Sequence, residues 1–138
     1  MNTRRHFDLA ERPSDGKEFK AILLVDDNRE LVQTLQWILA DEDFLVDKAY
    51  DGEEALLKVR ANTYDAVICD MMMPRLRGDE FYLTAILLRP SLLHRFIFIT
   101  GFAADRRVHL FLTQNNVRYF LKPVPVAHLV SAVEELVA

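Results

Sequence analysis

The stretch Ala21-Ile22-Leu23-Leu24-Val25-Asp26-Asp27 decides the reading of this chain. Five consecutive apolar residues without alternation suit a strand buried on both faces, as in a parallel sheet covered by helices. The two aspartates that close the run then fall at the strand's carboxyl end, the edge at which open α/β sheets bind ligands. Three more runs end on a polar group. Ala66-Val67-Ile68-Cys69 closes on Asp70, Phe96-Ile97-Phe98-Ile99 on Thr100, and Val117-Arg118-Tyr119-Phe120-Leu121 on Lys122. Each reads as a buried strand. Three carboxylates, a hydroxyl and an ammonium on one edge suit a divalent metal and a phosphoryl group.

Helix signals separate these runs. Leu31, Leu35, Ile38 and Leu39 recur at helical spacing after a polar start, where Asp27 or Asn28 is placed to cap. Phe44-Leu45-Val46 is a weaker strand, Asp51-Gly52 reads as a turn, and Ala55, Leu56 and Val59 mark the next helix. A loop with Pro74 and Gly78 leads to a helix through about Arg89. Further helices surround Val108, Phe111 and Leu112, and then Val126, Leu129, Val130, Val133 and Leu136. Five β–α units with right-handed crossovers predict an α/β doubly wound parallel sheet, the flavodoxin-like (βα)5 arrangement with strand order 2-1-3-4-5. That order makes strands one and three neighbours, so Asp26, Asp27 and Asp70 meet at the switch-point crevice.

Composition narrows the function. Residues 1–19 are polar, carry Pro13 and Gly16 and lack periodicity, so they read as a flexible tail or linker before a domain over 20–138. Arg4, Arg5 and Arg12 leave open a partner-binding arm. The net charge of −4 argues against nucleic-acid binding by this domain. No apolar stretch approaches the roughly 20 residues of a membrane helix. The single cysteine, Cys69, forms no internal disulfide, which suits a reducing cytoplasm.

Clustered carboxylates repel one another and need a counter-charge. A hard cation with oxygen ligands supplies it, and Mg²⁺ commonly takes one or two carboxylates plus waters and phosphate oxygens. Scattered histidines and a lone cysteine do not suit zinc. A carboxylate attacking phosphorus gives an acyl phosphate. Lys122 can pair with a phosphoryl oxygen, and the Thr100 hydroxyl can donate to another.

Leu23-Leu24-Val25-Asp26-Asp27-Asn28, Asp70-Met71-Met72-Met73-Pro74 with Gly78, Ile99-Thr100-Gly101, and Tyr119-Phe120-Leu121-Lys122-Pro123 together resemble the receiver domain of two-component response regulators. The resemblance covers about residues 20–138. It implies that Asp70 is the phosphoacceptor, fed by a histidine kinase or a histidine phosphotransfer protein. It implies Mg²⁺, or Mn²⁺ in its place, bound directly by Asp27, Asp70 and the Met72 backbone carbonyl, with Asp26 acting largely through water. Thr100 and Lys122 would contact the phosphoryl group. Tyr119 would swing inward with Thr100, and Pro123 commonly follows a cis bond. The domain would then be a switch that catalyses only its own phosphorylation and dephosphorylation. It would act on a downstream protein through its last two helices and fifth strand, with homodimerisation there left open.

Trp37 falls nearly opposite the apolar stripe of its helix, with Glu30 and Gln33. An outward tryptophan often marks a contact surface, and in the family this helix docks the histidine-bearing donor. Trp37 is therefore a candidate docking residue, and Pro123, beside Lys122, is named with it. In the family the positions two beyond the phosphoacceptor and the threonine help control hydrolysis by water. Here the resemblance places Met72 and Phe102 there, neither with a polar group to orient water, which predicts slow self-dephosphorylation. A haloacid-dehalogenase-type phosphotransferase is set aside, because position two after the nucleophile would be Asn28 or Met72 instead of aspartate. A flavodoxin relative would need a phosphate loop after the first strand, which is missing. A receiver-like interaction module that works without phosphorylation is the alternative function.

Overall fold

The computed structural model describes residues 19–101 and 105–138, in which five strands alternate with five helices. They are β1 (Ala21–Val25), α1 (Arg29–Asp41), β2 (Leu45–Ala49), α2 (Gly52–Ala61), β3 (Ala66–Asp70), α3 (Gly78–Leu88), β4 (Phe96–Thr100), α4 (Arg106–Gln114), β5 (Arg118–Leu121) and α5 (Val126–Val137). A short 3₁₀ turn at Pro90–Leu92 joins α3 to β4. All strand pairs are parallel and the order is β2-β1-β3-β4-β5, the doubly wound topology expected. No described helix is long and apolar enough to cross a membrane. Of the expected tail over residues 1–19, residues 1–18 lie outside the described residues, as does Phe102.

Every residue of β1, β3 and β4 is buried. Because successive strand side chains point to opposite faces, these runs feed two separate cores. Leu23, Val25, Val67, Cys69, Phe96 and Phe98 face α2, α3 and α4. Ile22, Leu24, Ile68, Ile97 and Ile99 face α1 and α5. The first core is knitted by aromatic edges: Tyr82 and Phe98 each meet Phe111 nearly perpendicularly at 5.4 Å.

Several expected elements shift. In α1 the fully buried stripe is Val32, Leu35 and Leu39, with Leu31 and Ile38 only half-buried. Asn28, and not Asp27, caps the helix by accepting from the Leu31 amide at 3.1 Å. Asp51-Gly52 opens α2 instead of turning the chain, since Asp51 accepts from the Glu54 amide at 2.8 Å. β2 extends to Ala49 through Asp47 and Lys48, which masked its strand pattern. Buried Asp47 is tolerated because it accepts from the Tyr64 hydroxyl at 2.7 Å and pairs with Lys58 at 2.8 Å. The expectation that the fifth run is buried fails: β5 lies at the sheet edge, with Arg118, Tyr119 and Leu121 exposed. An apolar run alone does not separate a central strand from an edge strand.

Two glycines let the β3–α3 connection close against the sheet. A Cβ on Gly78 would overlap the Asp70 carbonyl oxygen and sit 2.9 Å from the Met71 Cα. Gly78 N–H instead donates to the Met71 carbonyl at 2.8 Å. A Cβ on Gly52 would overlap the Leu76 carbonyl oxygen and lie 2.6 Å from the Leu76 Cβ. Gly101 has no neighbour within 4 Å of such a Cβ. Gly78→Ala is therefore expected to cost about 3 kcal/mol in chemical denaturation, since backbone must move to relieve the overlap. Gly101→Ala should stay within about 0.5 kcal/mol of the wild type. Equal midpoints for the two variants would contradict this packing.

Candidate functional site

The carboxyl edges of β1, β3, β4 and β5 bring the predicted polar residues together. Asp26 directly follows β1, Asp70 is the last residue of β3, Thr100 the last of β4, and Lys122 directly follows β5. Ligand atoms of Asp26, Asp27 and Asp70 all lie within 4.8 Å of one another. Asp26 and Asp70 are buried and Asp27 is exposed. Thr100 is fully buried, and its carbonyl accepts the Lys122 backbone N–H at 3.0 Å, which ties the ends of β4 and β5.

The half-buried Lys122 ammonium lies 3.0 Å from Asp26 Oδ2 and 3.4 Å from Asp70 Oδ2. The other carboxylate oxygens are held by backbone. Asp26 Oδ1 accepts from the Asn28 N–H at 2.9 Å, and Asp70 Oδ1 from the Met71 N–H at 2.8 Å. Among the described residues, Asp26 Oδ2 is the buried side-chain oxygen without an aligned hydrogen bond. Its close neighbour is the Lys122 ammonium, which attracts it as a cation.

Burial dominates the proton affinities. Loss of water pushes the Asp70 carboxyl up to about 6, helped by the Asp26 charge and opposed by Lys122 and the Met71 amide. Burial also raises Asp26, against the pull of the Asn28 amide and Lys122. For Lys122, burial works downward, but its two carboxylate neighbours outweigh it and the ammonium is held above its ordinary range. With all groups ionised, three carboxylates and one ammonium sum to −3 + 1 = −2. That deficit, the under-satisfied Asp26 oxygen and an all-oxygen donor set fit a hard divalent cation.

The remaining predicted residues surround this core. Met72 sits in the loop after β3, its side chain half-buried. The Lys122–Pro123 peptide is cis and Pro123 is exposed. Tyr119 is 41% exposed, pointing outward from the edge strand. Trp37 is 67% exposed on α1, as its helical position predicted.

Sequence reading missed one part of the surroundings. Arg75 in the β3–α3 loop reaches Asp51 at the start of α2 and lies 3.7 Å from Glu53. The available signal was the Asp51-Gly52-Glu53-Glu54 run, which has the spacing of an N-cap followed by a helical glutamate. Reading it as a turn hid the acidic partner.

Comparison with known proteins gives this geometry a family. The model of the response regulator receiver domain matches residues 22–134. The chain belongs to that family. A receiver domain protein (CheY-like) from Methanospirillum hungatei superposes with a TM-score of 0.80 at 27% identity, covering 87% of this chain and 94% of that one. Response regulator TrrA of Thermotoga maritima, solved in complex with Mg²⁺-BeF, gives 0.75 at 30% identity, covering 86% and 99%. Response regulator ArlR of Staphylococcus saprophyticus is 39% identical over 59 residues, 43% of this chain and 27% of that protein. The match thus spans about a quarter of that regulator's length. This chain carries a receiver domain of two-component signalling.

The raised Asp70 proton affinity makes a stability prediction for the metal-free receiver. The folded value of about 6 lies above the unfolded value of 3.8, so between them the native state binds the extra proton. Stability therefore falls as pH rises through that window, by up to about 3 kcal/mol from this group. Asp70→Asn removes the ionisation. It should raise the denaturation free energy by about 2–3 kcal/mol at pH 8 without metal, and leave it nearly unchanged at pH 4. Urea titrations at the two pH values check the sign; a variant less stable than wild type at pH 8 would contradict it.

Proposed function

We propose that this receiver accepts a phosphoryl group on Asp70 from a phosphohistidine donor, a histidine kinase or histidine phosphotransfer protein, in a Mg²⁺-dependent reaction. The observation that carries the reading is the Asp70 carboxylate itself. One oxygen is fixed by the Met71 amide, and the other faces Lys122 beside two more carboxylates. Asp27, Asp70 and the Met72 carbonyl are assigned as direct Mg²⁺ ligands, with Asp26 acting through water, and Mn²⁺ would serve in the same place. The bound cation supplies charge neutralisation for the approach of an anionic phosphoryl group.

The Asp70 carboxylate oxygen attacks phosphorus and the P–N bond to the donor imidazole breaks. The ring nitrogen keeps the electron pair, and the product is an aspartyl phosphate. Lys122 pairs with one phosphoryl oxygen and the Thr100 hydroxyl donates to another. Hydrolysis of the acyl phosphate returns Asp70. The domain thus acts as a switch that turns over its own phosphate instead of a separate substrate.

The output is assigned to the α4-β5-α5 face, where Leu110, Tyr119 and Leu121 are exposed. Thr100 and Tyr119 are the switch pair. Inward movement of Thr100 toward the phosphate opens room for the Tyr119 ring, and the altered face controls a downstream protein or a second copy of the chain. The site of action is assigned to the cytoplasm, with no nucleic-acid contact by this domain.

Intact mass after incubation with acetyl phosphate tests the chemistry. A gain of one phosphoryl group that requires Mg²⁺ and disappears in Asp70→Asn is expected. No gain under any condition would favour a receiver-like module that binds partners without phosphate.

Exposed Trp37 on α1, together with Pro123, is assigned to donor docking. Trp37→Ala should slow transfer from the cognate donor by about tenfold, the effect of a modest hot-spot loss. Labelling by acetyl phosphate should stay at the wild-type rate. Unchanged transfer from the donor would remove Trp37 from the docking surface.

A further inference from the structure

The loop between Asp70 and α3 is pinned at three places. At its end, Gly78 N–H donates to the Met71 carbonyl at 2.8 Å. In the middle, Leu76 lies against Gly52, where no side chain could fit. Its N–H also donates to the Pro74 carbonyl at 2.8 Å, folding the loop tip on itself. The third pin is Arg75, whose guanidinium Nη1 bonds Asp51 Oδ2.

This third pin is unusual in two respects. Arg75 has φ of 69°, the left-handed region that favours glycine, so the backbone is held where an arginine does not settle unaided. Its side chain is 64% exposed, so burial does not force it onto Asp51. Asp51, by contrast, is buried and already fixed, because its Oδ1 caps α2 through the Glu54 amide. Arg75 thus ties the loop that carries Met72 to a firmly held element, the start of α2 beside the sheet. Glu53, 3.7 Å from Arg75 Nε, adds a weaker attraction in the same direction.

Resting on the phosphoacceptor reading above, we propose that Arg75, through Asp51, is a positioning residue that holds the β3–α3 loop in the conformation that binds the divalent cation. Arg75 touches neither the cation nor the phosphoryl group. Its role is to keep the loop ordered before the cation arrives, so that binding does not have to fix the loop as well.

Calorimetric titration with Mg²⁺ alone, on the whole chain, tests this. Arg75→Ala should weaken the Mg²⁺ Kd about fivefold, less than the roughly 10–100-fold typical of groups directly behind a ligand. Asp51→Asn keeps a good helix cap but loses the charge, and should weaken Kd similarly. The double variant should be no worse than either single one, because both remove the same contact. Arg75→Lys should recover part of the loss. Wild-type affinity in both single variants would overturn the proposal, and so would a fall in thermal stability with Kd unchanged, which marks a merely structural contact. Failure of the wild-type chain to bind Mg²⁺ would instead overturn the reading of the site itself, and the positioning role with it.

Discussion

The structure turns on two aspartates buried at adjacent strand ends with one lysine between them. Asp26 and Asp70 are nearly inaccessible, and Lys122 is their shared cation at 3.0 and 3.4 Å. Burial makes the negative charge expensive, and a single ammonium does not offset it. Backbone amides at Asn28 and Met71 satisfy one oxygen of each carboxylate, yet they cannot remove the charge imbalance. The site is therefore poised to gain a cation or a proton, and its proton affinity and its metal affinity oppose each other. Structural stability alone would favour an apolar or neutral group at Asp70.

The scaffold makes that arrangement tolerable. β1, β3 and β4 are buried on both faces, so the aspartates leave strands that are packed on each side. The connection after β3 closes tightly because Gly78 lets the helix start come down onto the Asp70 carbonyl. The N–H of the next residue, Met71, donates to the carboxylate. The Lys122 end is built differently. β5 is an edge strand with one neighbour, and its link to the rigid part of the sheet at this point is the Lys122 amide bond to Thr100. The anionic half of the site thus stands on the central sheet and the cationic half on its edge.

The central strands were legible because an uninterrupted apolar run that ends in a polar residue suits a doubly covered parallel strand and little else. Five polar residues at four strand ends then placed the site from the sequence alone. Legibility failed where tertiary context overrides pattern. β2 was blurred by Asp47, whose partners Tyr64 and Lys58 come from α2 and beyond. β5 looked buried because Phe120 and Leu121 match a core pattern, although the sheet edge leaves Leu121 54% exposed. In α1, Leu31 and Val32 are adjacent, and periodicity alone did not say which lies deeper. The Arg75 contact with Asp51 spans 24 residues and joins a loop to the cap of α2, and no local periodicity encodes that.

The asymmetry between a rigid anionic half and an edge-borne cationic half bears on how a switch could work on the reading proposed above. Moving a two-state equilibrium from 1:99 to 99:1 takes about 5.5 kcal/mol of differential interaction. Without phosphate, Lys122 already has two carboxylate partners, so a phosphoryl group gains only the difference between its own pull and theirs. A phosphorylated Asp70 keeps a negative charge but moves it outward onto phosphoryl oxygens, and Lys122 would follow. Its amide is bonded to the Thr100 carbonyl, so any displacement is shared with the end of β4. β5 has only one strand neighbour to resist, and it carries Tyr119 and Leu121 on its exposed side. Of the two edge strands, β2 and β5, it is β5 that leads into the lysine, so on that reading a charge displacement at Lys122 would be passed to the exposed β5 surface.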